Sequence, residues 1–236
     1  MILSDINGEQ HDFDLRDPKS MYINIDCMEA MKSFPDGFFQ LAIVDPPYSD
    51  LTLGGYAQNS SSVLAKNKQY HIALWNQPKP TKEYFDELRR VSVNQIIWGG
   101  NYFADLLPSS QCWIVWDKEN GDNNFADCEL AWTSFNSAVR KFTFHWQGML
   151  QGDMKHKETR IHPTQKPVVL YEWLINRYSK NGDIILDTHA GSASSLIACR
   201  KTGHIFFGCE IDPEYFRISK ERLDLELAQG NIFDFL

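Results

Sequence analysis

The residues with the clearest chemical potential form the tetrapeptide Asp45-Pro46-Pro47-Tyr48, directly after the apolar run 41–44. The amino nitrogen of a nucleic-acid base is a poor nucleophile, because its lone pair is delocalised into the ring, until strong acceptors hold its N–H groups. The Asp45 carboxylate and the Pro46 carbonyl could be those acceptors. Pro46 and Pro47 fix the backbone direction and donate no competing N–H. The Tyr48 ring offers a stacking face for a base flipped out of its helix.

A rigid turn that ends a buried strand would also explain this tetrapeptide. Chance alone produces a given tetrapeptide in a chain of this size in about one case in a thousand. Methylation at cytosine C5 would need a nucleophilic thiol, usually after a proline, and none of the five cysteines follows a proline. These residues therefore favour methylation of an exocyclic amino group, which needs no covalent intermediate.

A second candidate site begins at Asp187, where the apolar run 184–186 enters a turn of small residues, DTHAGS. The next predicted strand ends at Glu210, 23 positions later. This spacing is typical of a nucleotide crevice, in which the Glu210 carboxylate could accept both ribose O–H groups. The absence of GxGxxG disfavours NAD or FAD, because those glycines let the backbone approach the pyrophosphate. An adenosyl sulfonium carries no pyrophosphate, so its site requires fewer such glycines. An ordinary turn beside a surface glutamate is the alternative.

Alternating strands and helices would position both candidate sites. The predicted strands are residues 22–25, Leu41–Val44, Gln95–Trp98, Asp183–Leu186 and His204–Gly208. The predicted helices are Met28–Phe34, Thr81–Val91 with Thr81 as N-cap, Val168–Tyr178, about Ser192–Lys201, and Pro213–Leu227. This alternation predicts a mostly parallel sheet with helices on both faces.

Other segments depart from the alternation. The Asn7-Gly8 step predicts a peripheral N-terminal hairpin with a two-residue turn. Trp113–Trp116 and Leu130–Trp132 are predicted as later strands, and Val139–Phe144 as an antiparallel one. The polar stretch Ser49–Gln77 predicts a long functional loop.

Composition limits the class of protein. A chain of 236 residues with 43% apolar content can bury one core, which predicts a single domain. No membrane span or signal peptide is predicted, and the scattered cysteines suggest neither disulfides nor a metal site.

The net charge of −8 argues against indiscriminate nucleic-acid binding. Basic residues nevertheless cluster between 140 and 166, although an ordinary solvated loop would explain them too: Arg140, Lys141, Lys155, Lys157, Arg160 and Lys166.

Four motifs occur in the order DPPY (45–48), HPTQKP (162–167), DTHAGSAS (187–194) and CEID (209–212). In this order the chain, from about Met21 to Leu227, resembles the β-class DNA amino-methyltransferases, which are circularly permuted so that the catalytic tetrapeptide precedes the cofactor loop. The resemblance is to a short, phage-like form of this family. It implies a Rossmann-like class I S-adenosylmethionine methyltransferase fold, which is an α/β fold with a mostly parallel sheet, helices on both faces and an antiparallel last strand. It implies one domain over 1–236, with a peripheral hairpin in 1–20 and a reduced target-recognition insertion at about 118–161.

The resemblance also implies an activity: transfer of methyl from S-adenosylmethionine to N6 of adenine in DNA, by in-line attack of a flipped-out base, as in restriction-modification. It implies a cytoplasmic enzyme of a bacterium or phage-infected host. It places Asp26-Cys27 near the cofactor adenine and Lys166 at the methionine end. The implied catalytic residues are Asp45, Pro46, Pro47 and Tyr48, and the implied cofactor-binding residues are Asp26, Cys27, Asp45, Lys166, Asp187, Thr188, His189, Ala190, Gly191, Ser192 and Glu210. The basic cluster supplies the predicted DNA contacts, Arg140, Lys155, Lys157 and Arg160, and no metal is expected.

The sequence departs from the family pattern at the cofactor loop, where His189 replaces an aromatic residue and Ala193 a glycine. The short insertion predicts a short recognition site, loose specificity, or help from a second subunit in a homodimer. Ser49–Gln77 is expected to be mobile without DNA and to close over the flipped base. Three alternatives stay open: methylation of cytosine N4, a catalytically inactive regulator that binds DNA or cofactor, and methylation of RNA or of a protein glutamine.

Overall fold

A computed structural model describes residues 1–48, 79–121, 126–147 and 150–233 of the chain. The strands in these ranges are β1 (Ile2–Ser4), β2 (Gln10–Asp12), β3 (Met21–Asn24), β4 (Phe39–Val44), β5 (Ser92–Trp98), β6 (Trp113–Asp117), β7 (Cys128–Thr133), β8 (Arg140–Thr143), β9 (Trp146–Gln147), β10 (Leu150–Gln151), β11 (Ile184–Asp187) and β12 (Ile205–Glu210). The helices are α1 (Cys27–Lys32), α2 (Lys82–Val91), a 3₁₀ turn at Gly100–Phe103, α3 (Val168–Tyr178), α4 (Ser194–Lys201) and α5 (Pro213–Phe233).

Eight strands form the central sheet in the order β3-β12-β11-β4-β5-β7-β6-β8. The first five are mutually parallel, and β7 runs antiparallel between β5 and β6. The predicted α/β class with a mostly parallel sheet is therefore confirmed. The antiparallel direction predicted for Val139–Phe144 is wrong, because β8 pairs parallel to β6 at the sheet edge. Alternating hydrophobicity reports which faces of a strand are buried and carries no information about strand direction.

Each face of the sheet has its own apolar layer. Ala42 and Val44 of β4 belong to the layer that contains α1 and α2, whereas Leu41 and Ile43 belong to the layer with α3 and α4. Successive side chains of a strand point to opposite faces, so a strand covered on both sides is apolar throughout. This arrangement explains the uninterrupted apolar run before Asp45.

The N-terminal hairpin is more closely tied to the core than predicted. β1 and β2 pair with Ser4 opposite Gln10, so residues 5–9 form the turn, and the predicted two-residue turn is wrong. The Asp5 carboxylate determines this longer turn, because its Oδ1 accepts from the backbone N–H groups of Asn7 and Glu9, both at 2.8 Å. Leu3 and the following Phe13 are buried in the core layer of α1 and α2.

The remaining predicted elements agree with the structure to within a few residues, and α3 begins and ends where the sequence predicts. The predicted loop Ser49–Gln77 lies outside the described residues. The predicted insertion 118–161 contributes two strands, β7 and β8, to the central sheet. Among the described helices, none has both the length and the apolar character that crossing a membrane requires.

Candidate active site

Asp45–Tyr48 follow β4 at the edge of the sheet where the parallel strands end. The Tyr48 hydroxyl donates a short hydrogen bond to Asp45 Oδ1. Gly99, which follows the neighbouring strand β5, makes room for the Tyr48 ring. A Cβ atom at Gly99 would lie 2.2 Å from Tyr48 Cε1, and its φ of +67° is a conformation that favours glycine. The glycine after β5 and the tyrosine after β4 therefore fit together as one unit.

A second tyrosine stacks on Tyr48. The ring centroids of Tyr48 and Tyr102 are 5.0 Å apart with planes 16° from parallel, and Tyr102 is 46% exposed. Sequence reasoning did not single out Tyr102. Its place next to the Gly99-Gly100 step, directly after a strand, is the signal that could have indicated it.

Lys166 of the HPTQKP motif is buried against the tetrapeptide. Its Nζ donates a short hydrogen bond to Asp45 Oδ2 and lies 3.1 Å from the Tyr48 hydroxyl oxygen. Burial alone would lower the pKa of Lys166, but the carboxylates of Asp45 and Glu129 outweigh it and raise that pKa. Lys166 is therefore a buried cation that holds Asp45, and it is not part of the basic surface cluster.

Glu129 of β7 completes this charged group and was missed by the sequence analysis. Its Oε2 lies 3.2 Å from Lys166 Nζ, and its Oε1 forms a short ion pair with Lys118. Burial alone would raise the pKa of Glu129, but the two lysines outweigh it and lower that pKa. Two cations and two anions thus balance in one partly buried network. An acidic residue in the otherwise apolar segment ELAWT was the available signal, but its partners come from other elements.

The HPTQKP motif is anchored from both sides. The Gln165 carbonyl accepts from Trp146 Nε1 at 2.7 Å, and the Gln165 side chain accepts from Ile161 N at 2.9 Å. Glu158 accepts from Val168 N at 2.8 Å and from Arg222 of α5 at 2.7 Å. These contacts fix the segment that carries Lys166.

The predicted cofactor turn begins with a buried carboxylate. Asp187 Oδ1 accepts from His189 N at 3.0 Å, and Oδ2 accepts a short hydrogen bond from Ser195. Burial raises the pKa of Asp187 to about 7. Ala193 precedes α4 with φ +60°, which gives a physical reason for glycine as the family residue here. Asp187 therefore fixes the DTHAGS segment by bonding to the backbone N–H of His189 and to a side chain in the first turn of α4.

Glu210 lies across this turn at the end of β12. Its Oε2 accepts from Gly191 N at 2.8 Å and its Oε1 from Asp212 N at 2.9 Å, and burial raises its pKa. Asp26 caps α1, because its Oδ1 accepts from Met28 N at 2.8 Å. A small hollow lies between these groups, lined by Ile25, Asp26, Cys27, Thr188, His189, Glu210 and Ile211. Two carboxylates around an apolar hollow fit the hydroxyl and amino groups of a nucleoside.

The predicted DNA contacts lie on different elements of the structure. Arg140 lies on the edge strand β8, and Lys155 and Lys157 are exposed in the 151–161 segment. Arg160 packs its guanidinium 4.4 Å from the ring centroid of Trp146. A role in DNA binding stays a prediction for all four residues.

The fold and this pair of adjoining sites define a Rossmann-like methyltransferase. A family model described as DNA methylase matches residues 55–221, more than half of the chain, so the chain belongs to the N6/N4 DNA methylase family. Membership confirms the predicted class, a DNA methyltransferase that depends on S-adenosylmethionine. It does not distinguish adenine N6 from cytosine N4.

Individual relatives agree with this assignment. The Type II methyltransferase M.HpaI of Haemophilus parainfluenzae is 26% identical over 239 residues, which cover 85% of this chain and 73% of the relative. The M1.HpyAVI-SAM complex has a TM-score of 0.53 at 21% identity and covers 86% of this chain and 98% of that one. The cytosine-N4-specific PvuII DNA methyltransferase has a TM-score of 0.54 at 13% identity, with 86% and 85% covered. At these identities, the structural likenesses support the fold alone.

Proposed function

We propose that this DNA methyltransferase methylates N6 of adenine. The observation that carries the proposal is the Asp45 carboxylate, which Lys166 and Tyr48 hold at the end of β4. In the β-class family that the chain resembles, aspartate at the first motif position is more typical of adenine enzymes and serine of cytosine-N4 enzymes. Cytosine N4 is the second candidate, because a structurally similar protein, the PvuII enzyme, is specific for it.

Asp45 and Pro46 act on the amino group of the base. The carboxylate of Asp45 and the carbonyl of Pro46 accept its two N–H groups, which draws the nitrogen toward the tetrahedral geometry of attack. Each oxygen of a carboxylate can accept more than one hydrogen bond, so Asp45 can keep its bonds to Lys166 and Tyr48. The buried Lys166 ammonium forms an ion pair with the Asp45 carboxylate and orients it, and an ionised carboxylate accepts stronger hydrogen bonds than a neutral group does.

The hollow beside Asp187 and Glu210 is the proposed cofactor site. When bound, S-adenosylmethionine supplies an electrophilic methyl group. The residues proposed to hold it are Asp26, Cys27, Asp45, Lys166, Asp187, Thr188, His189, Ala190, Gly191, Ser192 and Glu210. The carboxylates of Asp26 and Glu210 support this assignment, because they line the hollow and can accept hydrogen bonds from a nucleoside. The Cys27 thiol, which also lines the hollow, stays neutral because burial raises its pKa to about 12.

Base flipping and DNA contact complete the proposal. Tyr48 stacks on the flipped base, and Pro47 fixes the backbone that orients it. Arg140, Lys155, Lys157 and Arg160 contact phosphates, which offsets the net charge of −8 locally. This part predicts a methylation rate that falls steeply with added salt.

The test is to incubate unmethylated DNA with the protein and methyl-labelled S-adenosylmethionine, digest the DNA to nucleosides, and identify the product by mass spectrometry. N6-methyladenine is expected, and Asp45→Asn should lower its rate at least about a hundredfold, because the isosteric amide loses the anionic acceptor. N4-methylcytosine instead would overturn the adenine assignment. Equal rates for Asp45→Asn and wild type would overturn the role of Asp45.

A further inference from the structure

Three buried or half-buried side chains form a hydrogen-bonded chain that ends at the cofactor hollow. The Tyr84 hydroxyl of α2 lies 2.7 Å from Thr188 Oγ1, and Thr188 Oγ1 lies 2.9 Å from His189 Nδ1. Tyr84 is 4% exposed and Thr188 is 2% exposed, so water has little access to the first two members. The Tyr84 ring also contacts the His189 ring edge-on, with centroids 5.4 Å apart.

The proton positions in this chain follow from the number of donors. Buried hydroxyl groups need partners, and in the part of the chain that the structure describes, the only hydrogen-bond contact of the Tyr84 hydroxyl is Thr188. Tyr84 therefore donates to Thr188, and the Thr188 proton is then satisfied only by donation to His189 Nδ1. Any arrangement with a proton on Nδ1 leaves one buried hydroxyl proton without an acceptor in this trio. A neutral imidazole whose Nδ1 accepts carries its proton on Nε2.

The opposite edge of the imidazole is available to a ligand. His189 lines the hollow, and within the described residues its Nε2 has no hydrogen bond. Asp26 and Glu210 present acceptor oxygens to the same hollow, and the Thr188 hydroxyl is already bonded to Tyr84 and His189. Such a hollow disfavours the anionic carboxylate of a methionine group and favours a nucleoside.

We propose that His189 Nε2–H donates a hydrogen bond to the adenosyl group of S-adenosylmethionine, in a tautomer set by Tyr84 and Thr188. This inference rests on the proposed function, since it assigns one contact within the proposed cofactor site. His189 thereby replaces, with a directional polar contact, the aromatic residue of the family pattern. Burial lowers the pKa of His189 to about 4, so the donor is a neutral imidazole at neutral pH.

The first test needs no cofactor. Nitrogen-15 NMR of the histidine rings distinguishes a protonated from an unprotonated ring nitrogen, and assignment by comparison with His189→Gln identifies the signal. Wild-type protein should carry the proton on Nε2, and Thr188→Val should show a mixture of tautomers because the nearly isosteric valine removes the donor to Nδ1. A proton on Nδ1 in the wild type would overturn the inference.

The second test measures binding by calorimetry with two ligands, S-adenosylmethionine and 5′-methylthioadenosine, which lacks the amino-acid part. His189→Phe should lower the affinity for both ligands by the same factor, about threefold to tenfold, as expected for the loss of one hydrogen bond. His189→Gln, whose amide nitrogen can stand in for Nε2, should retain affinity better than His189→Phe for both. Circular dichroism checks that each variant is folded.

The outcomes separate the inference from the function on which it rests. Two outcomes would show that the contact to the adenosyl group is wrong while the cofactor site stands. In the first, His189→Phe binds both ligands as tightly as wild type does; in the second, it binds S-adenosylmethionine more weakly but 5′-methylthioadenosine equally well. If the wild type binds neither ligand, both the cofactor site and the contact are wrong.

Discussion

Lys166 Nζ contacts Asp45 Oδ2 although 121 positions separate the two residues in the chain. This contact joins the HPTQKP segment to the tetrapeptide after β4, and Glu129 reaches the same ammonium from β7. Three separate parts of the chain therefore meet at the Lys166 ammonium. The charges of this network, with Lys118 as the fourth member, should be energetically coupled.

Glu129→Gln should destabilise the chain, because it removes the carboxylate that pairs with Lys118 and leaves Lys166 with Asp45 as its carboxylate partner. We expect a loss of about 1–3 kcal/mol in the free energy of unfolding, measured with urea, together with slower methylation. Adding Lys118→Met restores equal numbers of cations and anions, so the double variant should be more stable than the sum of the single effects predicts, by about 1 kcal/mol or more. Strictly additive effects would show that the network is not coupled.

Gly99→Ala should affect activity as well as stability. The new Cβ would meet the Tyr48 ring at 2.2 Å, so the ring must move, which disturbs its hydrogen bond to Asp45. Gly182→Ala is the matched control, since Gly182 also has a positive φ, +89°, but open space around it. Both should lose about 1–2 kcal/mol from backbone strain, and only Gly99→Ala should lose methylation rate beyond what its stability explains. Equal methylation rates for the two variants would contradict this account of Tyr48.

Ala193→Gly should change stability by less than about 1 kcal/mol. Relief of a left-handed alanine gives about 1–2 kcal/mol, but the loss of a buried methyl costs about 0.8 kcal/mol and glycine adds entropy to the unfolded chain. Ala193→Val should cost more than about 2 kcal/mol, because a β-branched residue is added at φ +60° in a fully buried position. Urea unfolding of both variants checks this; a tolerated valine would show that the turn readily rearranges.

Asp187→Asn should alter how stability depends on pH. Because burial raises the pKa of Asp187 to about 7, the folded chain keeps a proton between about pH 4 and 7 that the unfolded chain loses. This contribution to stability is fully present below about pH 4 and is lost as pH rises toward 7. The buried His162 and His189, with pKa values lowered to about 4, act oppositely: they favour unfolding as pH falls from about 6.5 to 4.

The asparagine variant removes the first effect and keeps the second. Its stability relative to wild type should therefore rise as pH increases from 4 to 7, as measured by thermal or urea unfolding. A pH-independent difference for Asp187→Asn would mean that Asp187 is ionised throughout this range.

Local patterns predicted the elements and the motifs but not the contacts between them. α3 was predicted to the residue because Leu170, Leu174 and Ile175 recur at helical spacing on its buried side. Glu129 could not be recognised, because its role depends on lysines from two other segments. The hairpin turn was mispredicted because the Asp5 side chain, rather than the Asn7-Gly8 step, sets its length. The positions of Asp45, Asp187 and Glu210 at the ends of strands identify them as candidates, but their hydrogen-bond partners depend on the three-dimensional structure.

The stacked pair of Tyr48 and Tyr102 has a thermodynamic consequence for substrate binding. With ring centroids 5.0 Å apart, no third ring fits between them, since two stacking spacings of about 3.4 Å each would be needed. A base that stacks on this face of Tyr48 must displace Tyr102 and so exchanges one aromatic contact for another. Stacking there would then contribute only the difference between two similar contacts, and the free energy for extracting the base would have to come from other contacts with the DNA.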